Sequence, residues 1–129
     1  MSDIDTNFTR LNSQLQEARR IGDRYFEAEL LFNLGNIYST VPEKLDIDKA
    51  IEYLTEAVMI SEQELRWFIF YRASQALGAI HEKLLHDDLG ALSVYEAALD
   101  ARASWLPGSF EEKARLRIED RAKRLRGNI

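Results

Sequence analysis

The sequence predicts an all-α fold of about six antiparallel helices, stacked as successive hairpins. Three observations predict it. Leu31, Leu34, Gly35 and Tyr38 fall at i, i+3, i+4 and i+7, one face of a helix. Ala50, Leu54 and Ala57 follow at i, i+4 and i+7, and two small residues around a large one make a complementary surface. The pattern then recurs: Leu77-Gly78 stands 43 residues after Leu34-Gly35, and Ala91, Tyr95 and Ala98 repeat the spacing of Ala50, Leu54 and Ala57.

The elements follow in order. Ile4, Phe8, Leu11, Leu15 and Ala18 make a single apolar stripe, as a terminal helix packing on one side requires. Asp3 to Asn7 superficially matches a calcium loop, but Phe8 stands where glycine is needed and Gln14 where glutamate is needed, so this segment reads as a helix start. Gly22-Asp23 ends the first helix and begins the second, expected from Arg24 to Ser39. A glycine inside a helix costs roughly 1 kcal/mol relative to alanine. Gly35 lies mid-face among apolar residues, so close approach by another helix is the expected compensation. Pro42 marks the loop, and Asp46 is the expected N-cap of a third helix reaching Glu62. Trp67-Phe68-Ile69-Phe70-Tyr71 is continuously apolar and reads locally as a buried helix or a short buried strand. The spacing Tyr71-Ser74-Leu77-Gly78-His81 favours helix. A fifth helix is expected from Asp88 to Ser104, with Pro107-Gly108 as punctuation. The last carries Phe110, Ala114, Ile118, Ala122 and Leu125 on one stripe.

Together these residues resemble a tetratricopeptide (TPR) array of the longer variety, with about 40 residues per repeat. The segment from Ala18 to Tyr38 is most similar to the family signature. Leu31 and Ser74 replace its tryptophan, His81 its tyrosine and Ala122 its last glycine. The resemblance implies a single TPR-like domain over 1–129, an α-solenoid with a half-repeat at 4–22, repeats at 23–63 and 65–105, and a capping half-repeat at 109–126. The single stripes of the first and last helices imply sealed ends, hence a monomer or a side-by-side homodimer.

Composition sets the functional bounds. With 46% hydrophobic and 30% charged residues among 129, the chain reads as a folded helical domain. It has no cysteine, so disulfides and thiolate metal sites are excluded. The acidic start lacks an apolar core and no apolar run approaches a membrane span, so a cytoplasmic protein is expected, with no membrane partner. Net charge is −5, although residues 111–129 carry 7 basic and 4 acidic side chains. A nucleic-acid binder is expected to be more basic. His81 and His86 invite comparison with H-E-x-x-H, but their i, i+5 spacing sets the imidazoles about 140° apart on a helix, and they cannot share one metal. His81 is expected as a packed histidine. Asp87-Asp88 reads as a helix cap. No glycine-rich phosphate loop, G-x-S-x-G or cysteine nucleophile is present, and no cofactor is expected.

TPR proteins usually bind peptides in a concave groove lined by the first helix of each repeat. By position, the resemblance implies a groove showing Glu29, Phe32, Asn33 and Asn36, then Phe68, Arg72, Gln75 and Ala79, then Glu119 and Lys123. Phe32 and Phe68 equally fit a role filling space between helices. One TPR variant grips a C-terminal carboxylate with lysine, arginine and asparagine. Asn36 matches its first asparagine, but Phe32 and Ala76 stand where its lysine and second asparagine belong. The expected function is therefore a non-catalytic adaptor or scaffold that binds another protein or peptide. A small chaperone holding an extended segment is the alternative, and a hydrolase or regulatory subunit is a third reading. Arg72 and Lys123 imply some acidic character in the ligand, partly offset by Glu29 and Glu119.

Overall fold

In a computed structural model that describes residues 3–128, six α-helices follow one another and, among the described residues, no strand occurs. The first, α1 (Asp3–Ile21), has Asp3 and Asp5 in its first turn and Arg19 and Arg20 in its last, matching the helix dipole. Gly22 ends it at φ +75°, a left-handed conformation that glycine adopts without steric cost. The Asp23 N–H then donates to the Ala18 carbonyl at 2.9 Å, and the Asp23 carboxylate accepts from Phe26 N at 3.1 Å to cap α2 (Arg24–Thr40).

A short 3-10 turn (Pro42–Lys44) leads to α3 (Ile47–Gln63), which Asp46 caps by accepting from Lys49 N at 3.1 Å. The aromatic segment is helical: α4 (Trp67–Ala79) runs directly into one π-helical turn (Ile80–Leu84). Asp87 caps α5 (Asp88–Leu99), its Oδ1 accepting from Gly90 N at 2.9 Å. The last helix is α6 (Phe110–Asn128). Among the described residues, no helix is long and apolar enough to cross a membrane.

Two expectations need correction. The fifth helix ends at Leu99, not Ser104. Leaving the helix lets Ala101, Ala103 and Trp105 turn back onto the core, with the Trp105 ring edge-on to Tyr71 at 6.1 Å. Partial burial of that indole offsets the helical hydrogen bonds forgone. Phe110 is 72% exposed although it lies on the stripe with Ala114, Ile118, Ala122 and Leu125, which are buried. At the first residue of α6 it lies short of that packing, and its ring is 6.1 Å from Phe68.

The core has two parts. Leu11, Leu15, Leu31, Leu34 and Leu54 centre the first, among α1, α2 and α3. Phe70, Tyr71, Tyr95 and Ile118 centre the second, among α4, α5 and α6. Val58 of α3 packs against both. Sequential helices pack as neighbours, and α2 also touches α4, which in turn touches α6. The even-numbered helices therefore form a row, with α4 at its centre.

Both helical glycines sit at close approaches. A Cβ on Gly35 would lie 2.6 Å from Leu54 Cγ. One on Gly78 would lie 2.5 Å from Tyr95 Cζ and closer still to Cε1. The glycine cost inferred from sequence is thus offset by apolar contact that any side chain would block.

Candidate functional site

The row formed by α2, α4 and α6 carries the residues singled out from sequence. Phe32 and Asn36 of α2, Arg72, Gln75, Ala76 and Ala79 of α4, and Arg117 of α6 line one cavity of about 170 Å³. A neighbouring cavity of about 230 Å³ shares Asn36, Ala76 and Ala79 and extends to Thr40, Lys83 and Leu84. The shared residues join them into one groove between α2 and α4. Ala76 and Ala79 form its shallow floor, since neither side chain extends beyond Cβ.

Arg72 organises one end. Its guanidinium carbon lies 5.8 Å from the Phe32 ring centre and 5.7 Å from that of Phe68. Contacts of this kind consume no N–H donor and leave the guanidinium donors available for an acid. No carboxylate pairs with Arg72 or Arg117 among the described residues. Gln75 presents a buried Oε1 with no hydrogen-bond donor among those residues. A buried acceptor left alone costs free energy that a donor would recover.

The other expected positions are arranged differently. Phe32 is only 9% exposed and belongs to the first core, so it acts chiefly as a platform beneath Arg72. Glu29 lies 3.6 Å from Arg66 and Glu119 lies 3.1 Å from Arg115, so both acids expected to offset the groove are engaged elsewhere. Asn33 is half-buried and Lys123 exposed, and neither lines the cavity. Arg117 takes the place assigned to Lys123. Equivalent-position reasoning selected the flank one residue after the packing positions. Arg117 precedes Ile118, and at 100° per residue it lies on the opposite flank from Glu119. A basic residue next to a packing position on either flank was the signal available for finding it.

A larger cleft of about 520 Å³ opens at the start of α4, where Tyr25, Leu65, Trp67 and Phe68 face Trp105 and Leu106. Arg66 fixes this end of α4 to α2, donating to the Tyr25 carbonyl at 2.8 Å. Phe68 lines the cleft and also contacts Arg72, so the cleft adjoins the groove.

His81 is half-buried, with Nδ1 3.4 Å from Asp87 Oδ2. The two lack hydrogen-bond geometry, and among the described residues the buried Nδ1 has no hydrogen-bond partner. His86 lies beyond the π turn at φ +51°, exposed.

Comparison with protein-family models, with curated proteins and with solved structures finds no match.

Proposed function

We propose that this protein is a TPR-like helical-repeat module, with its hairpins in a right-handed stack, that binds another polypeptide without turning it over. The ligand lies along the row of α2, α4 and α6. The even-numbered row supports the repeat reading, because it aligns the helices that open each hairpin. So does the recurring pair of a glycine on one helix and a large residue on the next, Gly35 with Leu54 and Gly78 with Tyr95.

The observation that carries the functional reading is the cavity itself. It gathers an arginine held on two rings and, among the described residues, a second arginine without an acid and a buried amide oxygen without a donor. An extended peptide supplies acceptor oxygens for the arginines and, once the Gln75 amide turns toward the cavity, a backbone N–H for its Oε1. Adaptor or scaffold is the role this implies.

The test is a titration of a captured partner against Arg72→Ala, Gln75→Ala and Asn36→Ala, each with an unchanged helical circular-dichroism spectrum. Arg72→Ala should weaken binding by roughly 1–3 kcal/mol, the range for a charge-assisted hydrogen bond. If all three variants bind like wild type, the ligand does not occupy this groove.

A further inference from the structure

Resting on that reading, we infer that the groove takes an acidic segment carrying a bulky apolar side chain two or three residues from its acid. The carboxylate sits between Arg72 and Arg117, and the apolar side chain enters the cleft between Trp67 and Trp105.

Charge argues for the acid. Four basic side chains line the groove and cleft, Arg66, Arg72, Lys83 and Arg117, against one acid, Glu111. Arg66 has Glu29 at 3.6 Å, while Arg72, Lys83 and Arg117 have no acid partner among the described residues. This basic strip belongs to a chain of net charge −5, so it is a local feature and not a consequence of composition. Such a strip attracts an acidic segment while the rest of the surface repels it.

The rim of the cleft argues for the apolar anchor. Leu65, which lines the cleft, is 68% exposed and Leu106 78%. Leu65 is held at φ +57°, the conformation glycine supplies at the end of α1. A leucine there costs backbone strain and gains little burial within the chain. Covering it with a ligand side chain recovers the hydrophobic contribution the fold forgoes.

Spacing links the two. Phe68 lines the cleft and Arg72 the groove, one turn apart on α4 and separated by about 6 Å of helix rise. An extended chain advances about 3.3 Å per residue, so roughly two residues span the distance.

The experiment is selection of a displayed random dodecapeptide library on the full-length chain, followed by fluorescence anisotropy with the enriched peptides. Enriched sequences should share Asp or Glu two or three positions from Leu, Phe or Trp. Replacing that acid by its amide, or the apolar residue by Ala, should weaken binding at least tenfold. Arg72→Gln with Arg117→Gln should do the same, and raising salt from about 50 to about 500 mM should weaken wild-type binding several-fold. Leu65→Ser and Leu106→Ser change exposed side chains, so they leave the helical spectrum intact while weakening peptides that carry the anchor.

Enrichment of neutral or basic peptides that lose affinity on Asn36→Ala and Gln75→Ala would overturn the acidic ligand and leave the groove standing. Peptides indifferent to every groove variant, or no enrichment at all, would overturn both. A single-stranded RNA oligonucleotide binding through Arg72 and Arg117 more tightly than any enriched peptide would also overturn the proposal.

Discussion

Gly35 and Gly78 occupy corresponding places in two successive helix pairs, but different side chains cover them. Over Gly35 lies the aliphatic side chain of Leu54; over Gly78 lies the flat ring of Tyr95, and both are fully buried. The difference spreads outward. Near Gly35, Tyr38 meets Phe8 and Tyr53 edge-on, each at 5.4 Å between ring centres. Near Gly78, the place of Tyr38 is taken by His81, beside Asp87. The Tyr95 hydroxyl donates to Glu82 Oε1 at 3.4 Å, and that same oxygen lies 3.9 Å from Arg121 of α6. The first pair is joined by rings, and the second by a ring with a polar chain reaching the next helix. One packing slot thus tolerates two chemistries, provided the opposite helix has no side chain there.

The largest expected effect tests that proviso. Gly78→Ala should destabilise by about 2–3 kcal/mol, because an aromatic ring at full burial cannot rotate out of the way. Gly35→Ala should cost less, about 1–2 kcal/mol, since its Cβ would come no nearer than 2.6 Å to Leu54 and alanine gains roughly 1 kcal/mol in helix propensity. Urea unfolding of both variants measures this, and equal losses would break the contrast.

A double variant sharpens it. Gly78→Ala with Tyr95→Leu gives the second pair an aliphatic cover like the first. The two changes should couple favourably by about 1–2 kcal/mol, so the double variant is more stable than the sum of the single losses predicts. Strict additivity would show that the ring is not what makes Gly78 necessary.

Much of this contrast was legible in the sequence. The glycine spacing, the small-large-small pattern and the capping aspartates depend on local periodicity, which a single chain displays directly. Asp46 and Asp87 each stand four residues before an alanine of that pattern, and both cap. What could not be read depends on contacts distant in sequence. Trp105 ends α5 early because its ring has a place against Tyr71, and nothing near residue 100 announces it. Arg117 joins the groove through the approach of α6 to α4, which repeat arithmetic along each helix does not fix. The π turn after Ala79 likewise carries no local signature.

The caps give a smaller difference. Asp46→Ala should cost about 1 kcal/mol, the usual value for a lost N-cap. Asp87→Ala should cost somewhat more, about 1–2 kcal/mol, because its second oxygen also makes a polar contact with His81 Nδ1 at 3.4 Å that Asp46 lacks. Thermal or urea unfolding near neutral pH measures both, and an Asp46 loss equal to or greater than that of Asp87 would remove His81 from the account.

The smallest effect concerns the hydroxyl that distinguishes the second pair. Tyr95→Phe keeps the ring over Gly78 and removes the bond to Glu82, so it should cost about 0.5–1 kcal/mol at neutral pH. Its signature is alkaline. Burial raises the Tyr95 phenol above its usual value; Arg121 opposes the rise and Glu82 adds to it. The unfolded chain therefore ionises first as pH passes about 10, and folding holds the neutral form. Stability from this group is fully present below pH 10 and is lost as pH rises through the folded value. Phenylalanine cannot ionise, so the gap between wild type and Tyr95→Phe should narrow from about pH 9 to pH 11. Tyr38 and Tyr71, also raised mainly by burial, remain in both proteins and supply a shared decline. Parallel stability curves over that range would show that Tyr95 ionisation is not what separates the second pair from the first at high pH.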